Sequence, residues 1–319
     1  MGVTVSASYP DLSKREAVMN TKKIHHTVFL VFLFISFLIN GCEGDNSSQW
    51  EPTRRIDLDG QKNFRDLGGY SNIYGESVRW RILFRSGDLH DLTDADLLIV
   101  DNLDLQLVID FRSEEEIDAR PDRLPAGVKT LHDPINIEGF EELLFYALET
   151  GDTSQFTVSN IAKLYENIYT DKIEQFRVML SGVINSENRP VLIHCRGGAD
   201  RTGFGAALIL ASLQIPDEII FEDYLLSNEY LKDSREESLD YFKKTIEQNT
   251  GNTPTEEDME RISNLFEVRQ EYMELAFQNV VDEYGTFEEY IVSGLEISMY
   301  EIEEFRRLAL VFLYEGQDF

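Results

Sequence analysis

Between Val191 and Leu213 the chain passes from a short apolar run, through a glycine-rich turn, into a longer apolar run. Val191-Leu192-Ile193 shows no polar alternation, which predicts a buried strand. Phe204 to Leu213 is apolar on nearly every face, which predicts a buried helix. The residues between them are His194-Cys195-Arg196-Gly197-Gly198-Ala199-Asp200-Arg201-Thr202-Gly203. They form a strand-to-helix turn with a cysteine at the strand's end. With further strands and helices alternating along the chain, this predicts an α/β domain with a mainly parallel sheet flanked by helices.

The turn also has a chemistry. Successive backbone N–H groups in such a loop face inward and, with the helix N-terminus, make an anion site. Such a field favours the thiolate form of a cysteine facing it. Arg201 lies six positions after Cys195 and offers a planar, two-pronged donor to phosphate oxygens. A nucleophilic sulfur inside a phosphate cradle points to phosphoester cleavage through a cysteinyl-phosphate. Gly197, Gly198 and Ala199 are the expected backbone donors, and Arg196 could reach a second anionic group of the substrate. Thr202 either donates its hydroxyl to the thiolate or merely caps the helix, and His194 reads as a brace. Cys195 alone could be a core thiol at a strand end; the glycines, the arginine and the helix around it favour the catalytic reading.

The turn resembles the signature loop of the cysteine-dependent tyrosine phosphatases. With Asn63-Phe64-Arg65-Asp66-Leu67-Gly68-Gly69-Tyr70 upstream, it resembles the atypical bacterial branch, which includes secreted mycobacterial enzymes acting on phosphotyrosine and phosphoinositides. The likeness runs from about Ile56 to about Leu310, through Arg85-Ser86-Gly87, Asp110-Phe111-Arg112-Ser113 and Asp223-Tyr224-Leu225-Leu226-Ser227-Asn228. It implies Cys195 as nucleophile, Arg201 as phosphate clamp and Asp200 as the acid that protonates the leaving oxygen. Asp66 and Asp110 are rival acids, with a structural alternative in which they pair with Arg65 or Arg112. One departure matters: that branch usually carries lysine just before the loop aspartate, and here the residue is Ala199.

A net charge of −30 argues against a nucleic-acid partner. It also argues against general attraction of phosphorylated substrates, a field damped over about 8 Å in physiological salt. Recognition must then come from the loop. Past the leader only His90, His132 and His194 remain, without ligand spacing, so neither a metal nor another cofactor is expected.

The chain divides into a leader and signal peptide (1–41), a polar tether (42–55) and a phosphatase domain (56–319). Lys22-Lys23, the apolar run Val28 to Ile39 and Asn40-Gly41-Cys42 read as an export signal. The run is too short for a comfortable span of about 20 residues. The cut site resembles that of bacterial lipoproteins, which implies export, a lipid on Cys42 and membrane attachment at the periplasmic or outer face. An ordinary secreted protein, with Cys42 incidental, is the alternative.

Within the domain, strands are expected at Arg81 to Phe84, Gln106 to Phe111 and Lys129 to Asp133. Thr93 with Asp96, and Ser113 with Glu116, should open helices. Ser159 to Ile184 reads as two helices, and Pro216-Asp217 opens another. The tail reads as helical, with boxes at Thr286–Glu289 and Ser298–Glu301. The expected substrate is a phosphotyrosine protein or a small phosphomonoester. Rivals are a phosphoinositide or inositol phosphate phosphatase, and a pseudophosphatase that binds phosphorylated ligands without turnover. A sulfur-transfer domain would not call for the arginine and aspartate.

Overall fold

The computed structural model describes residues 53–312; the leader, Cys42 and most of the tether lie outside them. A five-stranded sheet carries the turn. Its strands are β1 (Arg65–Asp66), β3 (Leu83–Ser86), β4 (Leu107–Asp110), β5 (Lys129–His132) and β6 (Val191–His194), in the order β1-β3-β6-β4-β5. The short β2 (Glu76–Val78) pairs antiparallel with β7 (Leu310–Phe312) as a separate ribbon. In the main sheet only the edge strand β1 is antiparallel. β6 lies at the centre, with Ser86 and Asp110 flanking His194 in register. All four residues of β3, β4 and β6 are buried, as strands sandwiched between helical layers must be.

Alternate side chains enter two cores. Val191, Ile193, Ile109 and Leu83 face the larger one; Leu192, Val108 and Phe84 face the smaller, beside Val100 of α1 (Asp94–Asp101). After β4 comes α2 (Glu114–Ala119), and after β5 come α3 (Phe140–Thr150), α4 (Val158–Tyr165), α5 (Ile168–Asp171) and α6 (Ile173–Ile184). The signature helix α7 (Asp200–Ser212) buries nearly every residue. Its Gly203 permits close packing, since a Cβ there would come within 2.6 Å of the Tyr224 ring.

The remaining helices are α8 (Asp217–Tyr230), α9 (Lys232–Thr250), α10 (Glu256–Phe266), α11 (Gln270–Tyr284), the single turn α12 (Phe287–Glu289) and α13 (Met299–Ala309). They share the larger core with α7. Tyr169 joins the two regions: its hydroxyl donates to the Phe204 carbonyl at 2.9 Å, and Tyr290 donates to its carbonyl at 2.7 Å. Burying a phenylalanine such as Phe204 contributes about 1.5–3 kcal/mol, so this aromatic packing ties the helical part to the sheet. Among the described residues no helix is long and apolar enough to cross a membrane.

The expected α/β class, the mainly parallel sheet and the helical C-terminal part are all present. Details differ. The strand expected from Arg81 begins at Leu83, because Arg81 sits at φ +64°, a left-handed turn no strand accommodates. Ser159 to Ile184 forms three helices, with non-helical breaks at Asn167 and Lys172. Ser113–Glu116 and Ser298–Glu301 are complete capping boxes, whereas Thr286 accepts from the Glu289 N–H without the reciprocal bond.

Candidate active site

Cys195 closes β6 and is 3% exposed; among the described residues it is the free cysteine. The loop after it is held by its carbonyls. Arg196 O accepts from Asp88 N–H at 2.9 Å, and Gly197 O from Asn63 Nδ2 at 3.1 Å. Gly198 O and Ala199 O accept from Arg85 Nη2 at 2.8 and 3.3 Å. In a trans peptide the N–H opposes its carbonyl, so carbonyls drawn outward turn the N–H groups inward. Gly198 confirms it, donating to Cys195 Sγ at 3.3 Å. Its φ is +70°, and a Cβ would lie 2.3 Å from the Ser86 carbonyl carbon, so only glycine fits.

The clamp behind the loop is an ion-pair cluster. Asp223 of α8 pairs with Arg65 at 3.0 Å and Arg85 at 2.6 Å, and Tyr70 donates to it at 3.0 Å. Burial opposes its charge, but the two guanidiniums outweigh burial and hold the carboxyl far below the usual carboxylate range. Burial brings Arg85 down to about 10. Arg65 also donates to Asn63 Oδ1 and to the Ser227 hydroxyl. The stretches 63–70, 85–87 and 223–228, far apart in sequence, thus meet at the back of one loop.

Arg201, in the first turn of α7, is gripped by Glu116 of α2: Nη1 reaches Oε2 at 2.7 Å and Nη2 reaches Oε1 at 2.8 Å. Nη1 also donates to the Phe111 carbonyl at 3.2 Å. Burial works against the arginine's charge, and the Glu116 carboxylate overcomes it, raising the arginine above its usual range. The end of the fork is taken by Glu116, while Nε and the outer hydrogen of Nη2 form its second edge.

Asp200 is half-buried. Burial raises its carboxyl above the usual range, against a hydrogen bond from Tyr165 and the charge of Arg201. Arg196 and Gly197 are exposed, and Ala199 is half-buried as the residue before α7. Thr202 is fully buried and does not cap; its hydroxyl has no partner among the described residues. His194 Nδ1 lies 3.3 Å from the Cys195 carbonyl oxygen, and its Nε2 stands 3.3 Å from Asp122 and 3.7 Å from Asp110. Burial disfavours its protonation, but the two carboxylates prevail and raise its pKa.

The rival acids Asp66 and Asp110 are both held by hydrogen bonds. Asp110 takes Arg112 through both carboxylate oxygens at 2.7–3.0 Å. Asp66 accepts the Gly68 and Arg81 N–H groups, each at 2.7 Å, rather than pairing with Arg65. Burial still lifts Asp66 to about 6. Asp110, Asp122 and His194 could together approach a cation, but Arg112 already donates to both carboxylates there.

The sequence reading missed Glu116 as the partner of Arg201, and Asp223 as the partner of Arg65 and Arg85. Glu116 was legible only as the far end of a capping box. It also missed Asp133 at the end of β5, a carboxyl 6% exposed, with Oδ2 unpartnered among the described residues and raised by burial to about 7.

A buried cysteine facing a turned-in loop N–H at the end of a central parallel strand accords with a cysteine-type phosphatase that hydrolyses phosphomonoesters. The chain belongs to the tyrosine phosphatase family, whose model matches residues 56–311. It is 29% identical over 261 residues to the triple specificity protein phosphatase PtpB of Mycobacterium tuberculosis, covering 74% of this chain and 92% of that one. It is 28% identical over 154 residues to a tyrosine-protein phosphatase of Nostoc commune, covering 48% of this chain and 51% of the relative. Among solved structures, the core catalytic domain of the PP-IP phosphatase SIW14 of S. cerevisiae matches with a TM-score of 0.31 and 14% identity, covering 70% of this chain and 96% of that chain.

Proposed function

We propose that the chain is a protein-tyrosine phosphatase in which Cys195 attacks phosphorus in line, forming a cysteinyl-phosphate. The observation that carries this reading is the outward anchoring of the loop carbonyls, which turns the loop N–H groups toward Cys195, where the Gly198 N–H meets its sulfur. Arg201 and those N–H groups stabilise the charge on the equatorial oxygens in the transition state. Asp200 gives its proton to the leaving oxygen and, as carboxylate, takes one from the water that cleaves the sulfur–phosphorus bond. Burial that keeps this carboxyl protonated to higher pH suits the first of those tasks.

Phosphotyrosine is preferred over polyphosphorylated inositides. Ala199 supplies no cation before the loop aspartate, and Glu116 places a carboxylate beside Arg201. Arg196, exposed next to the nucleophile, is the cation available for a second anionic group. The inositide reading is favoured only by Arg196, and a pseudophosphatase would not need the nucleophile.

Phosphate release is measured from phosphotyrosine peptides, phosphoserine peptides and phosphoinositides, with Cys195→Ser as blank. Faster turnover of the tyrosine peptides supports the ranking; equal or faster turnover of inositides reverses it. The leader sequence supports export and a lipid on Cys42, with the domain held at a membrane surface. Mass spectrometry of the mature N-terminus tests this, and an unmodified chain retaining Met19 would refute it.

A further inference from the structure

The turn before β2 holds two large apolar side chains in water. Ile73 and Tyr74 are 64% and 63% exposed, and neither enters either core. The turn itself is tightly made. The buried Asn72 side chain accepts the Tyr74 and Glu76 N–H groups, each at 2.9 Å, and the Asn72 carbonyl accepts from Gly75 at 3.1 Å. Gly75 closes it at φ +82°, a left-handed conformation suited to glycine. Across the β2–β7 ribbon Phe312, 50% exposed, stands opposite Glu76. Three apolar residues thus gather at one end of the ribbon.

Arginines gather at the other end of the same hairpin. Its base is closed by Val78, whose N–H donates to the Tyr70 carbonyl at 2.8 Å. The Arg54 guanidinium lies 3.6 Å from the Tyr70 ring centroid and 5.3 Å from that of Trp80. Arg79 follows β2 directly and Arg81 comes two residues later, both exposed. Among the described residues Arg54 and Arg81 donate their side chains to the carbonyls of Asp66 and Asn102, not to carboxylates. Two carboxylates belong to the same region. Glu76 is held by Asn72 Nδ2 at 3.0 Å, and the buried Asp66 takes the Arg81 N–H.

We propose that this hairpin is the face by which the domain meets an anionic membrane surface. Ile73 and Tyr74 enter the interface, and Arg54, Arg79 and Arg81 face the headgroups. An apolar tip below a basic base matches the layering of a bilayer, and tyrosine is favoured at its interface. The four residues from Val78 to Tyr74, at about 3.3 Å each, put the arginines roughly 13 Å above the tip. Interfacial elements sink about 5–10 Å, which leaves the arginines at the headgroup layer. The net charge of −30 opposes approach, but that field fades over about 8 Å, so at contact the local arginines decide. The tether also enters here. Cys42 is 12 residues before Arg54, so a lipid on it lies at most about 40 Å from the hairpin base. The proposal adds an orientation to the proposed membrane attachment and does not depend on the lipid. Tyr70 carries that orientation to the site, since its hydroxyl donates at 3.0 Å to Asp223, the partner of Arg85 behind the signature loop.

The test places a tryptophan at the tip and reads its quenching by brominated lipid. Tyr74→Trp is compared with Tyr241→Trp of α9, where Tyr241 is 66% exposed. Each is the full chain as isolated, on vesicles of phosphatidylcholine and phosphatidylglycerol with plain or brominated acyl chains. Subtracting wild-type emission removes the signal of Trp50 and Trp80 and any effect of the N-terminal anchor. The emission added by Tyr74→Trp should shift to the blue and lose most of its intensity on brominated vesicles, and that added by Tyr241→Trp should not. Adding Arg79→Glu to Tyr74→Trp should weaken the quenching, as should high salt, with thermal midpoints unchanged. Tip emission unquenched, or quenched no more than that of Tyr241→Trp, overturns the proposal. If mass spectrometry of the same sample finds a lipid on Cys42, the anchor reading survives that failure. Equal quenching with Arg79→Glu and on pure phosphatidylcholine overturns the role of the arginines. A concentration-dependent blue shift without vesicles would assign the tip to a second copy of the chain and also overturn the proposal.

Discussion

Glu116 and Arg201 form a two-pronged ion pair, at 2.7 and 2.8 Å, between the start of α2 and the first turn of the signature helix. The same Glu116 completes the capping box of α2 by accepting the Ser113 N–H at 2.9 Å. One carboxylate thus closes a helix and fixes Arg201. Glutamine also serves at the third position of a capping box, so Glu116→Gln separates the two roles. Its kcat/KM should fall about ten- to a hundredfold, the scale of one charge-assisted contact, with the thermal midpoint nearly unchanged. Unaltered kinetics would show that Arg201 needs no anchor.

The two loop glycines should respond differently to the same change. An added methyl at Gly198 meets backbone at 2.3 Å in a left-handed conformation, while at Gly197 it meets nothing within 4 Å. Gly198→Ala should therefore lose both activity and stability, and Gly197→Ala should fold normally. Kinetics and thermal melts of both variants decide it; a well-folded, active Gly198→Ala would contradict the loop geometry.

Asp223 stands between two buried guanidiniums, so Asp223→Asn leaves them uncompensated. A loss of about 3–5 kcal/mol is expected from breaking a buried pair on one side, read by urea unfolding at neutral pH. The sign with pH follows from the depressed carboxyl. Its stabilisation is complete above the unfolded value near 3.9 and is lost as pH falls towards the folded one. Wild type should weaken on acidification over that range, and Asp223→Asn should weaken less steeply. Parallel curves would assign acid sensitivity elsewhere.

Two of the raised carboxyls, Asp200 in the loop and Asp133 at the end of β5, can be told apart as acids by mutation. Asp200→Asn should slow esters with poor leaving groups by roughly 10²–10⁴, and slow an activated aryl phosphate much less. Asp133→Asn should leave that ratio between substrates unchanged. A reversed pattern would move the acid role to β5.

The loop was legible in the sequence because its physics is local. A buried strand, glycines, an arginine in the first helical turn and an apolar helix lie within one contiguous stretch. Strand and cap positions were legible for the same reason. What holds the loop was not, because Arg65, Arg85, Asn63 and Asp223 meet only after the sheet orders β1, β3 and β6 side by side and α8 folds back. Arg65 next to Asp66 suggested a neighbour pair, but adjacent side chains on a strand point to opposite faces. Cys42 and the leader lie outside the described residues.

The central claim is that phosphate passes through the Cys195 sulfur. Rapid acid quench of the enzyme during turnover of a phosphotyrosine peptide, followed by digestion and mass spectrometry, reads this directly. Phosphate should appear on the peptide containing Cys195, and Cys195→Ser should bind the phosphopeptide without turning it over. Phosphate found on another residue, or wild-type turnover by Cys195→Ser, would contradict it.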